Sequence, residues 1–338
     1  MPEKKSAPPK KHWLIIAAVL VVACMIGAIV YYLDGLRGRE TDPSITPGGQ
    51  DADVLDYNGK LYRLKDRLET VLIMGLDTYE SEAEPEGGSI NHQQADFLLL
   101  LVMDKENRTC VPLHINRDTI CNIWLLDIHG EPMFNKTAQI ALAHAYGSGG
   151  KDSCRNQVQA VSDLLFNRRI DHYIALTMDA VAQMNDLVGG VTVKVTDDFS
   201  AVDPTLVQGE EITLRGQQAL TYVRQRYDVG DRTNLSRMAR QRQYMLALRE
   251  QLMERVESDS NFVMRALKTL SDSMQSDCSV YKLSDIAEAL TEYEMEDFQT
   301  IAGEAVQGEE FIEYYADEDA LMQQVIDLFF VPEETGKS

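Results

Sequence analysis

The chain has 338 residues, 44% of them hydrophobic, and its 54 acidic residues outnumber 32 basic ones, for a formal net charge of -22. So acidic a balance argues against nucleic-acid binding, because proteins that follow a phosphate backbone are usually basic overall. The hydrophobic content, with both helical and strand-like patterning, indicates a globular α/β or α+β body, and a membrane segment plus a linker leave about 250 residues for one sizeable domain.

Lys4, Lys5, Lys10 and Lys11 precede an uncharged apolar run from Trp13 to Tyr32. Its length matches the roughly 20 residues a helix needs to cross a bilayer. The lysine excess ahead of it predicts a cytoplasmic tail over 1–12, a transmembrane helix over 13–32 and an extracellular remainder. A cleaved secretory signal is disfavoured by the length of the run and the lack of a small-residue cleavage site. Residues 33–53 carry Pro43, Pro47, Gly48 and Gly49 among polar residues and read as an extended stalk.

Val54 to Leu64 alternates around Asn58-Gly59, a two-residue hairpin signal. Short buried strands are predicted over 71–76, 97–103 and 109–115, with an acidic surface loop over 80–94. The short links favour an antiparallel meander. In a meander the end of the first strand, the start of the second and the end of the third share one edge, so Asp77, Asp96 and Arg117 fall together. Helices are predicted over 136–146 and 155–166, a strand over 170–177, a helix over 178–188 closed by Gly189-Gly190, and a strand over 191–195. A helix begins at Leu214 and runs to Val223; a long one covers 235–257, with Met238, Met245, Leu248 and Leu252 as its buried stripe. Beyond Glu250 the chain is strongly acidic and mostly helical, with a last strand expected over 299–305 and a closing helix over 320–330. The organisation expected is one catalytic domain over 54–249 and a C-terminal extension over 250–338 packing on it. The fold class is α/β (α+β), a central mixed, largely antiparallel sheet flanked by helices.

Against the acidic background, Leu220 to Gln243 gathers Arg224, Arg226, Arg232, Arg237, Arg240 and Arg242. Guanidinium presents a planar fork of donors that matches phosphate oxygens, so a diphosphate is the leading explanation. Arg224 and Arg226 are two apart; on extended chain they would point the same way, about 7 Å apart, suiting two linked phosphates. Arg237, Gln241 and Tyr244 share a helix face by their spacing, and Arg237 and Gln241 would complete the cradle. The competing reading is a solvated surface with each arginine paired to a nearby acid. Asp77 and Asp96 facing a diphosphate invite Mg²⁺, although either would also serve at a strand end or turn. Asp118 is read as orienting a neighbouring arginine.

Other signals point nowhere specific. No G-x-S-x-G, Walker loop, G-x-G-x-x-G or H-E-x-x-H is present, and the histidines read as packing or surface residues. Cys110, Cys121, Cys154 and Cys278 have no zinc-like spacing. A Cys110–Cys121 disulfide and plain reduced thiols are both open.

At these residues the chain resembles the LytR-CpsA-Psr family of Gram-positive cell-envelope proteins. The matching pieces are VLIMGLD (71–77), ADFLLLLVMD (95–104), INRD (115–118), LAHAYGSGG (142–150), the segment 171–199, LRGQQALTYVRQR (214–226) and NLSRMARQRQ (234–243). The resemblance implies a membrane-anchored phosphotransferase that moves an anionic glycopolymer, such as teichoic acid or capsule, from a polyprenyl-diphosphate carrier to peptidoglycan. It implies Asp77 and Asp96 as carboxylates for Mg²⁺ (or Mn²⁺), with Arg117, Arg224, Arg226, Arg237 and Gln241 on the diphosphate. Asp77, Asp96, Arg117 and Arg224 would be the catalytic set, and the polyprenyl tail would lie in an apolar tunnel between sheet and helices. Three positions depart from the family pattern: Gln94 stands where arginine is frequent, Asn116 where proline is usual, and Asn234 where aspartate opens the last motif. The rival readings are a polyprenyl-diphosphate pyrophosphatase and a non-catalytic envelope binding or regulatory protein.

Overall fold

A computed structural model describes residues 54–78, 91–259, 262–309 and 311–333. The membrane helix and stalk expected over 13–53 lie outside the described residues, as does most of the loop expected over 80–94. Among the described residues no helix is long and apolar enough to cross a membrane.

The hairpin forms as its sequence dictates. Strands β1 (Val54–Tyr57) and β2 (Lys60–Leu64) pair Tyr57 with Lys60. Asn58 and Gly59 turn between them at φ 53° and 72°, the doubly positive geometry that matches strand twist. Then come β3 (Leu68–Thr78), β4 (Gln93–Asp104) and β5 (Thr109–Ile115), each paired antiparallel to the next, so the predicted meander is real.

A second hairpin, β6 (Ile120–Leu126) and β7 (Pro132–Gln139), follows, then a single turn α1 (Leu142–Ala145) and helix α2 (Gly150–Leu164). The helix expected over 136–146 is therefore strand through Gln139 and helical only over Leu142–Ala145. Asn135 and Thr137 are weak helix formers, and pairing of β7 along the whole of β6, from Ile120↔Gln139 to Leu126↔Pro132, decides the matter. Next come β8 (His172–Thr177), α3 (Asp179–Val188), β9 (Val191–Lys194), β10 (Glu211–Leu214), α4 (Gln217–Arg224) and the long α5 (Asn234–Ser258).

The C-terminal segment supplies strands as well as helices. It runs through α6 (Phe262–Leu270), β11 (Met274–Ser276), α7 (Val280–Glu292), β12 (Glu294–Met295), β13 (Gln299–Thr300), β14 (Gly303–Gln307), β15 (Ile312–Ala316), α8 (Glu318–Phe329) and β16 (Phe330–Pro332). The single strand expected over 299–305 is two. β13 joins β5 in parallel, whereas β14 turns away to pair with β15, and Ile301 between them is buried in the core.

The central sheet has the order β11-β8-β3-β4-β5-β12, with β13 also on β5. It is mixed: β8 lies parallel to β3, β11 antiparallel to β8, and β12 and β13 parallel to β5. One face, through Leu72, Leu98, Leu100 and Leu113, packs on Val158 and Val161 of α2 and on Leu321, Val325 and Phe329 of α8. The other, through Val71, Leu99 and Leu101, packs on Leu283 and Ile286 of α7 and Met245 of α5. A smaller core joins α3, α4 and α6 to β9 and β10. Cys110 belongs to the α7 face and Cys121 packs against the α2 face. Both are free thiols, and burial pushes each up to about 12.

Candidate active site

One defect in the sheet builds the site. Gly75 pairs with Phe97 but Leu76 pairs with Ala95, so Asp96 is an extra residue, a β-bulge. Strands alternate faces, and the bulge breaks that alternation, re-aiming a side chain as bulges beside active sites do. Ala95 belongs to the α2-face core while Phe97 belongs to the α7 face, which puts Asp96 on the same face as Phe97. Gln94 is two residues before Asp96 and directly opposite Asp77. Asp77, Gln94 and Asp96 thus share the α5 side of one sheet edge. Gly75 permits this, since a Cβ there would lie 2.9 Å from Phe97 Cβ.

Arg117 comes from the turn after β5. Asn116 shapes that turn: its Oδ1 accepts from Asp118 N at 3.0 Å and its carbonyl from Thr119 N at 3.0 Å. Arg117 pairs with Asp96 and donates to Gln94 Oε1 at 3.2 Å. Asp118, 1% exposed, lies 3.0 Å from Arg226 Nη1 and 3.2 Å from Arg117 Nε and accepts from Gln139 Nε2. Its expected role as a holder of arginines is what the geometry displays.

Arg224 and Arg226 are not on a strand, contrary to the extended reading. Arg224 is the last residue of α4, Gln225 after it is extended, and the two guanidiniums take different carboxylates. Arg224 Nε reaches Asp77 Oδ2 at 2.5 Å, with 47% of its side chain exposed. Arg226 is drawn inward to Asp118.

Helix α5 presents Arg237, Gln241 and Tyr244 on one buried face, as the spacing predicts. Arg237 Nη1 sits 3.6 Å from Asp96 Oδ2, and its Nε donates to Asn234 Oδ1 at 2.9 Å. Asn234 in turn donates to Asn116 Oδ1 at 2.5 Å. Two of the three amides that depart from the family pattern, Asn116 and Asn234, therefore contact each other and steady Arg237. Burial pulls Arg237 down to about 10 against the opposing pull of Asp96, so it stays cationic at neutral pH. Its Nη2 is buried with no hydrogen-bond partner, as is Gln241 Oε1. Gln241 Nε2 donates to Val223 O at 3.1 Å, so part of its work is to hold the end of α4.

Sequence reasoning missed the chief holder of that end. Arg240, 1% exposed, donates to Tyr222 O at 2.5 Å and to Gln225 O at 2.6 Å. Its Nε lies 2.8 Å from Asp197 Oδ2, and it stacks over Phe199. These are the unpaired carbonyls a helix C-terminus leaves behind. The only sequence hint was its place in the arginine cluster, where it looked like one more ligand. Arg232 pairs with Asp228 on the surface instead.

Two hard carboxylates on one sheet face suit Mg²⁺, which takes one or two carboxylates plus phosphate oxygens. Arginines hold both carboxylates here, and the exposed Arg224 is the one placed to release its partner. Cavities of about 170 and 250 Å³ lie at the far end of the sheet, lined by residues such as Lys65, Asp104 and Asp171. On the site's own side, the partly buried Ile73, Phe97 and Ile174 pack with Met245, Met274, Leu283 and Ile286 in an apolar seam.

The sequence profile of the LytR_cpsA_psr family matches residues 44–327. A polyisoprenyl-teichoic acid–peptidoglycan teichoic acid transferase TagU of Oceanobacillus iheyensis is 29% identical over 282 residues, covering 83% of this chain and 77% of the relative. TagV of Bacillus subtilis, named as the same transferase, is 27% identical over 75% of this chain and 59% of its own length. Among solved structures, TagT bound to LI-WTA superposes with a TM-score of 0.57 at 19% identity, covering 85% of this chain and 98% of that one; the likeness establishes the shared fold.

Proposed function

The chain belongs to the LytR_cpsA_psr family, and on that premise we propose that it is a phosphotransferase that moves an anionic glycopolymer from a polyprenyl-diphosphate carrier to peptidoglycan. The observation that carries this reading is the convergence of Arg117, Arg224, Arg226 and Arg237 on Asp77, Asp96 and Asp118 at one sheet edge. Four guanidiniums against three carboxylates leave one net positive charge, which a diphosphate with two ionised phosphoryl groups would over-balance. A divalent cation on Asp77 and Asp96 restores the balance; when bound, Mg²⁺ neutralises charge on the transferring phosphoryl group. The buried Arg237, with one nitrogen still unpartnered, would bind a phosphate oxygen that the more exposed Arg224 helps to clamp. Arg117 and Arg226, fixed by Asp118, would orient the donor in line with the acceptor.

In the reaction the acceptor sugar hydroxyl bonds to the phosphorus on the polymer side and gives up its proton to solvent. The bond from that phosphorus to the bridging oxygen breaks, and polyprenyl phosphate leaves. The diphosphate ester stores the energy for transfer, so no nucleotide is required. The isoprenoid would part the seam between the sheet and Met245, Met274, Leu283 and Ile286. A lipid-linked donor stays in the bilayer, which is the physical reason to place the catalytic domain outside the cell behind a membrane helix over 13–32, with residues 1–12 in the cytoplasm.

Purified full-length protein, offered a polyprenyl-diphosphate glycopolymer with and without a peptidoglycan acceptor, tests this. The expected result is a polymer–peptidoglycan phosphodiester, with polyprenyl phosphate released only when acceptor is present. Equal release without acceptor would make the protein a hydrolase. Asp77→Ala should abolish metal-dependent turnover with folding preserved, and normal turnover by that variant in chelated buffer would overturn the metal assignment.

A further inference from the structure

At the opposite end of β3 and β8 from the arginines, three side chains of metal-ligating chemistry converge. His172 is the first residue of β8, opposite Val71 near the start of β3. Asp277 and Cys278 follow β11, which pairs antiparallel with β8 and delivers the next residues back toward His172. Their ligating atoms all lie within 4.8 Å of one another. His172 Nδ1 is 3.7 Å from Asp277 Oδ1, and Cys278 Sγ is 3.8 Å from the same oxygen. The first is too long for a good hydrogen bond, and the second is a long thiol–carboxylate hydrogen bond. They are close to the edges of a zinc tetrahedron, about 3.3–3.8 Å for bond lengths of about 2.0–2.3 Å.

A further observation fits a cation. His172 Nδ1 is buried without a hydrogen-bond partner. Its other nitrogen, Nε2, faces the Glu69 carboxylate at 3.6 Å, an ion-pair contact on the opposite side of the ring. Glu69 is itself fixed, with Lys105 at 2.5 Å and Lys282 at 2.7 Å. The backbone adds order: Tyr173 N donates to Asp277 Oδ1 at 2.9 Å and Cys278 N to Ser276 Oγ at 3.0 Å. Cys278 is 6% exposed, whereas Asp277 keeps 38% of its side chain accessible, leaving the outer side open for a fourth ligand.

We propose that His172, Asp277 and Cys278 form a second metal site, distinct from the Asp77–Asp96 pair, that takes a borderline-soft divalent ion of the Zn²⁺ class. The thiolate and imidazole set the preference, since Mg²⁺ takes oxygen ligands. The site ties the turn between β11 and α7 to the first residue of β8. A bound ion therefore clamps the C-terminal segment to the central sheet. On binding, the Cys278 thiol gives up its proton to solvent and the sulfur bonds to the ion, with no change of oxidation state.

The test uses full-length protein in detergent, titrated with Co²⁺ as a spectroscopic stand-in and with Zn²⁺ for stability. The expected result is one equivalent of Co²⁺ giving tetrahedral bands and a thiolate charge-transfer band, together with a Tm that rises with Zn²⁺. Cys278→Ser should lose the charge-transfer band, and His172→Asn should weaken binding at least tenfold. Asp77→Ala, in the diphosphate site, should leave the spectrum unchanged. Either variant alone suffices, so a folding failure in one does not spare the proposal. Absence of the thiolate band in wild type, or its persistence in the Cys278 variant, would overturn it and leave an ion pair between His172 and Asp277.

Discussion

Asp118 touches more of the site's arginines than Asp77 does, holding two of them at once. It is fully buried and lies against Arg226, Arg117 and Gln139 at once. Removing one partner of a buried ion pair costs about 3–5 kcal/mol, because the other charge is left without compensation. Asp118→Ala should therefore lower stability by several kcal/mol in denaturant titration and abolish transfer. Asp118→Asn should fold better yet still lose most turnover; full activity in the asparagine variant would show that the arginines do not need its charge. His114 offers a test by pH. Burial, with Arg242 and Arg237 nearby, drives it down to about 3 from 6.5, so it is neutral in the folded protein. Between pH 6.5 and 3 the unfolded chain binds a proton that the folded chain refuses, so stability falls as pH falls through that window. His114 packs against Phe97 with ring centroids 4.9 Å apart and planes tilted by 53°, so His114→Phe is a fitting replacement. Relative to wild type, that variant should become progressively more stable from pH 6.5 down to 4, and a constant difference would refute the neutral assignment.

At the scale of elements, the site depends on a bulge and a helix end. Gly75→Ala brings a Cβ to 2.9 Å from Phe97 Cβ. Overpacking of this kind typically costs about 1–3 kcal/mol. The strain falls on the bulge that aims Asp96, so turnover should drop well beyond what the stability loss explains; unchanged kcat at saturating donor would disconnect the bulge from catalysis. Arg240→Met keeps most of the volume but releases the carbonyls of Tyr222 and Gln225. Arg224 and Arg226 then lose their fixed launch point. The expected outcome is weaker donor binding, a raised KM larger than any change in far-ultraviolet circular dichroism would suggest.

At the scale of the whole molecule, the C-terminal segment is structural. It supplies β11 beyond β8, β12 and β13 beyond β5, and β16 against β2. Helix α8 alone buries Leu321, Val325, Ile326, Leu328 and Phe329. At about 1.5–3 kcal/mol for each large apolar side chain, those five outweigh much of the roughly 5–15 kcal/mol by which a domain is stable. A chain ending at residue 249 should therefore be insoluble or molten, with no cooperative thermal transition. A sharp transition in that truncation would show that residues 54–249 fold without the extension.

The sequence by itself determined the hairpin at Asn58-Gly59, the three-strand meander and the edge carrying Asp77, Asp96 and Arg117, because turn chemistry and strand alternation are local properties. It also marked Arg237 and Gln241 as one helix face, since a period of 3.6 needs no partner. Only the tertiary structure decided what β7 becomes, which face Asp96 takes and where each guanidinium ends. β7 is strand because β6 lies beside it, Asp96 turns inward because Gly75 leaves room for a bulge, and Arg240 holds carbonyls 15 and 18 residues away. His172 and Cys278 meet across more than a hundred residues for the same reason. Pairings of this range depend on how the whole chain packs, and no window of sequence contains them.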